Sequence, residues 1–296
     1  MIHEKGSYYL PSPSYWPIFG SCALFCIMFG AAHWLHGVNW GPPLFFVGLA
    51  LLFFVMYGWF HHVIQESLAG LYNKQVDHSY RWGMAWFIFS EVMFFGAFFG
   101  ALFYSRISAV AELAGDSTSL FGASALTHYL IWPGFMPHWP LLHNPDPSLF
   151  PAPKQVMEAW GIPALNTLIL LSSGGTITWA HWGMIKNKRS HVLIGLLLTV
   201  LLGITFLCFQ AHEYITAYED YNLRLTSGIY GTTFFMLTGF HGLHVTIGTI
   251  MLIVILFRAY LKHFNSEHHF AFEAVSWYWH FVDVVWLFLF VFVYWL

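Results

Sequence analysis

Seven stretches of this chain are each long and apolar enough to be read as a membrane span. They cover approximately 16–35, 43–63, 82–105, 157–185, 191–215, 228–260 and 273–296. Crossing a hydrocarbon core of about 30 Å takes about 20 residues of α-helix, and each stretch meets that length. The apolar character fills whole windows instead of alternating from residue to residue, so helices are expected and a membrane β-barrel is not. Composition agrees: of 296 residues, 58% are hydrophobic and 8% charged, whereas an average soluble domain carries about 25% charged residues. So few charges cannot wet the surface of a soluble fold of this size. With 11 Lys+Arg against 14 Asp+Glu, the chain has no basic field, and nucleic acid is excluded as a partner. The expected class is an all-α membrane protein with seven transmembrane helices. Cys22, Cys26 and Cys208 all lie inside apolar runs, which argues against a disulfide framework.

Positive charge in the loops sets the orientation. With the N-terminus inside, Lys5, Lys74, Arg81, Lys186, Lys188, Arg189, Arg258 and Lys262 fall on the inner side, and Arg106, Lys154 and Arg224 on the outer side. That bias places the C-terminus outside. A polar inner connection over 64–81 divides a two-helix unit, residues 1–70, from a five-helix unit, residues 71–296. An outer loop over 106–156 holds seven of the thirteen prolines, all between Pro133 and Pro153. Structureless loops this long are uncommon unless functional, so it is expected to cap the outer surface or meet a partner. No internal repeat is visible, which weighs against a secondary transporter.

An ionisable group at bilayer depth is costly and therefore a functional candidate. Glu91 and Asp283 both fall near the middle of their apolar runs. Each is read either as a proton-accepting group or as a carboxyl that pins two helices. Gly96 and Gly100 after Glu91 form a GxxxG step, the spacing that lets helix backbones approach. The run over 228–260 has Gly228, Gly231, Gly239, Gly242 and Gly248 and is expected to be a packing hub. Histidine titrates near neutral pH, and the inner side is dense in it. His3, Glu4, Asp77, His78, His263, Glu267, His268 and His269, with His61, His62, His181, His191 and Glu66 nearby, form a candidate proton antenna or an ordinary polar interface. His241, His244 and His280 lie deeper. They are either hydrogen-bonded core histidines or ligands for a metal or haem, and His280 and Asp283 are spaced to share one helix face. The aromatic load of 21% includes Trp277, Tyr278, Trp279, Tyr294 and Trp295, read as interfacial anchoring.

The stretches FEAVSWYWHFVDVVWLFLFVFVYW from Phe272 to Trp295, GIYGTTFFMLTGFHGLHVTIGT from Gly228, SEVMFFGAFF from Ser90, TITWAHWGM from Thr176 and NSEHHFAFEA from Asn265 resemble cytochrome c oxidase subunit III. The likeness begins at Pro13-Ser14-Tyr15-Trp16-Pro17 and runs to the end.

The resemblance implies seven helices in two bundles, helices one and two against three to seven, separated by a V-shaped cleft that holds phospholipid. It implies a non-catalytic core subunit of a proton-pumping oxidase that reduces dioxygen to water, with no redox centre, haem or copper in this chain. Those centres sit in partner subunits I and II, and cytochrome c is a substrate of the complex rather than of this chain. The implied roles are to brace subunit I, support its proton uptake and protect it from turnover inactivation. The implied place is the inner (plasma) membrane of a bacterium or the mitochondrial inner membrane.

Carried over by position, Glu91 matches the family's intramembrane carboxylate and Arg258 an arginine facing lipid phosphate. Trp59 and Glu66 fall at the matching end of helix two. His61 and Gln65 stand where family members often carry arginines, which weakens the expected phosphate contact there. Two rival readings, a stand-alone transporter or proton channel and a bis-histidine haem protein, remain at this point. A retinal protein is set aside because every lysine lies in a loop or terminus.

Overall fold

The computed structural model describes residues 9–115 and 125–296, and among them only helices and irregular segments occur. The helices are α1 (Trp16–Leu35), α2 (Gly41–Leu68), α3 (Lys74–Leu113), α4 (Ala125–Ile131), α5 (Ile162–Ile185), α6 (Arg189–Glu219), α7 (Ile229–Tyr260) and α8 (Phe270–Trp295). The π-helical turns Ser105–Ala109 and Phe290–Trp295 lie within α3 and α8. Six helices are long and apolar enough to cross a membrane: α1, α2, α3, α6, α7 and α8. Helix α5 has 24 residues, but Asn166, Thr167, Ser172, Ser173, Thr176, Thr178 and His181 make it less apolar than those six.

Several boundaries differ from the sequence reading. The connection expected over 64–81 is residues 69–73, because α2 continues to Leu68 and α3 starts at Lys74. The polar residues at each end are amphipathic helix turns, held in part by bonds such as Val76 N–H to the Asn73 side chain, 2.9 Å. Residues 106–113, expected as loop, extend α3, and the outer loop carries α4. The span expected from 157 begins at Ile162, where Gly161 precedes a helix with Pro163 in its first turn, a position that tolerates a missing N–H.

The chain divides into two compact units, one ending at Trp82 and one running from Gly83 to Leu296. In the first, α1 and α2 pack with backbones touching. A methyl group at Gly48 would lie 2.7 Å from the Ile27 amide nitrogen, and one at Gly30 would lie 2.8 Å from the Phe45 Cα. Ala23 and Val55 are buried in this hairpin.

In the second unit, Trp279 on α8 is fully buried. Its ring would lie 2.8 Å from a methyl at Gly203 on α6 and 2.9 Å from one at Gly248 on α7. Its indole N–H donates to Ser173 Oγ on α5, 2.8 Å. Trp286 repeats the pattern one level along, donating to Thr167 Oγ1 at 2.9 Å with Phe206 edge-on at 4.8 Å. Glycines thus open the space that the indoles fill. The outer segment is tied down through Asn144, whose amide donates to the carbonyls of Phe150 at 2.8 Å and Ser227 at 3.2 Å. Gly228 is required beside it, because its φ is +85° and a methyl there would strike Asn144.

The GxxxG step meets no neighbour among the described residues of this chain. No atom lies within 4 Å of a methyl placed at Gly96 or Gly100, and both face outward. Helix α3 meets its neighbours through phenylalanines instead, with Phe94 and Phe98 at 5.1 and 5.2 Å from Phe240 and Phe95 at 6.1 Å from Phe281. These rings hold the α3 backbone off its neighbours.

Gly203→Val is expected to destabilise by overpacking against Trp279, by about 1–3 kcal/mol, while Gly96→Ala leaves stability unchanged or slightly raised. Thermal inactivation of the purified protein in its complex checks both.

Candidate functional site

With α3 running from Lys74 to Leu113 and α8 from Phe270 to Trp295, Glu91 and Asp283 each lie near the middle of a long helix. Each has a histidine beside it. Glu91 Oε2 lies 2.9 Å from Nε2 of His244 on α7. The other ring nitrogen, Nδ1, lies 2.6 Å from the Phe240 carbonyl oxygen. A carbonyl oxygen only accepts, so Nδ1 carries a proton and donates it. Nε2 then faces a carboxyl with one proton between them, held either by the acid or by the imidazolium. The two side chains are 21% and 12% exposed, walled by Phe95 at 5.0 Å and Phe94 at 6.0 Å from the imidazole. Tyr278 on α8 stacks over it at 6.3 Å and donates its hydroxyl to the His244 carbonyl oxygen, 3.4 Å.

Asp283 has a looser partner. Its Oδ2 lies 3.8 Å from Nδ1 of His280, while Oδ1 is buried without a hydrogen bond among the described residues. His280 is 45% exposed, and its Nε2 lies 3.2 Å from Thr178 Oγ1 on α5. Gly174 leaves room here, since a methyl at that position would push the Asp283 carboxyl aside. Both residues line a groove of about 500 Å³ between α5 and α8.

The three deep histidines point to separate partners: His244 to Glu91, His280 to Asp283 and Thr178, and His241 through Nε2 to the Val282 carbonyl oxygen at 3.2 Å. No group of three or more His, Cys, Asp or Glu able to hold a metal occurs among the described residues.

Arg258, in the last turn of α7, lays its guanidinium over the Phe264 ring at 4.5 Å, and its Nε is buried without a hydrogen bond among the described residues. Trp59 is 42% exposed on α2. Glu66, near the end of α2, accepts a 2.8 Å hydrogen bond from the Tyr72 hydroxyl. Burial first, then the bonds to Tyr80 and Glu66, pushes that phenol above its ordinary range.

The antenna candidates separate. His3 and Glu4 lie outside the described residues. In the first unit, Asp77 pairs with Arg81 one turn on, and His78 Nε2 accepts from the Trp82 indole at 3.0 Å. In the second, His263, Glu267, His268 and His269 gather in the connection between α7 and α8. Asn265 organises it, accepting the amide N–H groups of Glu267 and His268 at 2.9 and 2.6 Å. His269 Nδ1 donates to the Asn265 carbonyl oxygen at 3.1 Å, and its ring lies 5.7 Å from His181.

The sequence reading did not single out Glu213, buried at 2% exposure on α6. Its signal was present: a carboxyl one turn after Gln210, beside His212, within the stretch expected to span the membrane. The pairing of Glu91 with His244, 153 residues apart, had no local signal.

Fold and site together define a polytopic helical membrane protein whose mid-helix carboxyl groups stand beside histidines. The chain belongs to the cytochrome c oxidase subunit III family, whose model matches residues 6–130 and 148–296. It is 42% identical over 293 residues to cytochrome c oxidase subunit 3 of Arabidopsis thaliana, covering 99% of this chain and 97% of that protein. It is 40% identical over 296 residues to the same subunit of Scyliorhinus canicula (100% and 99%) and of Pongo pygmaeus (100% and 99%). The unmatched residues between the two blocks, 131–147, fall in the Pro-rich segment.

His244→Leu leaves the Glu91 carboxyl without a partner and is expected to cost about 1–3 kcal/mol. Glu91→Gln keeps a hydrogen-bonding atom in place and preserves assembly. In a double-mutant cycle of thermal inactivation midpoints, Glu91→Leu with His244→Leu loses less than the sum of the two single changes.

Proposed function

We propose that this chain is the non-catalytic third subunit of a membrane-bound cytochrome c oxidase, bracing subunit I, holding structural phospholipid and supporting proton uptake. The observation that carries the reading is its match, along nearly its whole length, to subunit 3 of plants and vertebrates. Haem and copper belong to subunits I and II, and cytochrome c is the substrate of the complex. The side chains support this division of labour. The three deep histidines each have a different neighbour, and the buried indoles and phenylalanines build a rigid bundle. Glu91 and His244 hold one shared proton inside that bundle and tie α3 to α7.

Seven spans are proposed, α5 being the seventh. Its hydroxyls are satisfied within the bundle, as spanning a bilayer requires. Thr178 Oγ1 donates to Gly174 O at 2.8 Å, Ser172 Oγ to Leu168 O at 2.7 Å, and Thr176 Oγ1 meets Thr199 Oγ1 of α6 at 2.8 Å. The N-terminus is placed on the cytoplasmic or matrix side by the loop charges.

Arg258 is proposed to bind a lipid phosphate. Its guanidinium is half-buried against Phe264, and a fork of N–H donors suits phosphate oxygens. Trp59 and Glu66 are proposed as a second lipid contact, at the end of α2. The connection holding His263, Glu267, His268 and His269 is proposed to collect protons from the inner aqueous phase.

An oxidase stripped of this chain should begin turnover normally and lose activity faster during it, and an unchanged lifetime refutes the protective role. Arg258→Ala should lower the anionic phospholipid retained in native mass spectra, and undiminished lipid refutes the phosphate site. A Soret band from the separated chain would defeat the non-catalytic reading altogether.

A further inference from the structure

The second unit contains a layer of buried polar side chains, distinct from both carboxyl–histidine pairs. Asn166 on α5, Gln210 and Glu213 on α6, His241 on α7 and Tyr294 near the end of α8 have exposures of 0%, 5%, 2%, 0% and 7%. Both polar atoms of Asn166, Gln210 and Glu213 lack a hydrogen-bond partner among the described residues, as do His241 Nδ1 and the Tyr294 hydroxyl.

Packing registers bring these residues to one level. Thr176 meets Thr199, and Gly195 packs on Ala180, so α5 and α6 run antiparallel with Asn166 level with Gln210. Gly203 packs on Thr249, and Tyr214 bonds Thr238 at 2.7 Å, which sets His241 level with Ala211, between Gln210 and Glu213. The Tyr294 hydroxyl lies within interacting distance of both Glu213 and Gln210, but without the alignment of a well-formed hydrogen bond to either. Trp286 lies 5.1 Å from His241 and 5.9 Å from Tyr294, and Phe206 lies 5.7 Å from His241.

An orphaned polar atom in such a place is costly, and here eight lie at one level. The mix of atoms identifies what would satisfy them. His241 Nε2 donates to the Val282 carbonyl oxygen, so its Nδ1 is an acceptor. The carboxyl and amide oxygens also accept. The two amide NH₂ groups and the phenol donate. A bare cation would satisfy only the acceptors and an anion only the donors, whereas water does both. Buried waters make about three hydrogen bonds each.

We infer that Asn166, Gln210, Glu213, His241 and Tyr294 bind a buried cluster of about three water molecules that joins α5, α6, α7 and the end of α8. The cluster is a structural part of the bundle. It couples four helices through hydrogen bonds, in addition to the direct bonds that join them at Trp279, Trp286 and Thr199.

The test is an electron cryo-microscopy map of the intact oxidase at water-resolving quality, read with three variants. Density peaks within about 2.7–3.2 Å of polar atoms from at least three of the five residues are expected. Gln210→Leu and Asn166→Leu should each lower the thermal inactivation midpoint by about 2–4 °C, because displacing the waters strands the remaining groups. Glu213→Gln keeps two hydrogen-bonding atoms in place and should hold the midpoint. Side chains bonded directly to one another with no density between them overturn the inference. So does a midpoint that stays or rises in both leucine variants, the result for a dry layer relieved of an orphaned group.

Discussion

The second unit depends on the seat of Trp279. A buried indole needs room for its rings and an acceptor for its N–H, and three other helices supply these: Gly203 and Gly248 the room, Ser173 Oγ the acceptor. Helix α8 is therefore held in one rotation and one height against α5, α6 and α7. That placement sets Tyr278, the preceding residue, against His244, and turns His280 and Asp283 toward α5. The Asp283–His280 pair follows from this packing, and His244 of the other pair is held against Tyr278 by it.

Lipid offers no water to a stray polar group, and this explains how the bundle treats polarity. Serine and threonine hydroxyls along the helices donate back to carbonyls of the preceding turn, as at Thr178, Thr205 and Thr249. Histidines serve as links between helices: His244 joins α7 to α3 and His241 joins α7 to α8. Glu91 thus combines two readings that a sequence treats as alternatives. A carboxyl that shares a proton with an imidazole is at once a proton-holding group and a pin between helices.

The outward faces are of a different kind. Helix α3 shows Gly96, Ala97, Gly100 and Ala101 on its open side and turns Phe94, Phe95, Phe98 and Phe99 toward its own bundle. Large apolar side chains such as Phe53, Tyr57, Trp86 and Phe257 are exposed, which suits a protein whose solvent is lipid and whose neighbours are other subunits. A membrane-embedded subunit of a larger complex needs this combination of a rigid interior and a greasy exterior.

The sequence by itself determined the class, the approximate spans and the family, because each is written in local composition or in contiguous motifs. A run of about 20 apolar residues has few options in a bilayer. It also marked Glu91 and Asp283, since a charge in such a run stands out. Helix ends escaped it: polar residues at 64–68 and 74–81 complete amphipathic turns, and periodicity there is too short to read. The GxxxG spacing says that two backbones can approach, and among the described residues of this chain no neighbour lies on that face. Only the tertiary structure decided which histidine meets which carboxyl, since Glu91 and His244 are joined by chain folding over 153 residues. The same is true of Glu213, whose burial at 2% depends on helices that pack around it rather than on the residues beside it.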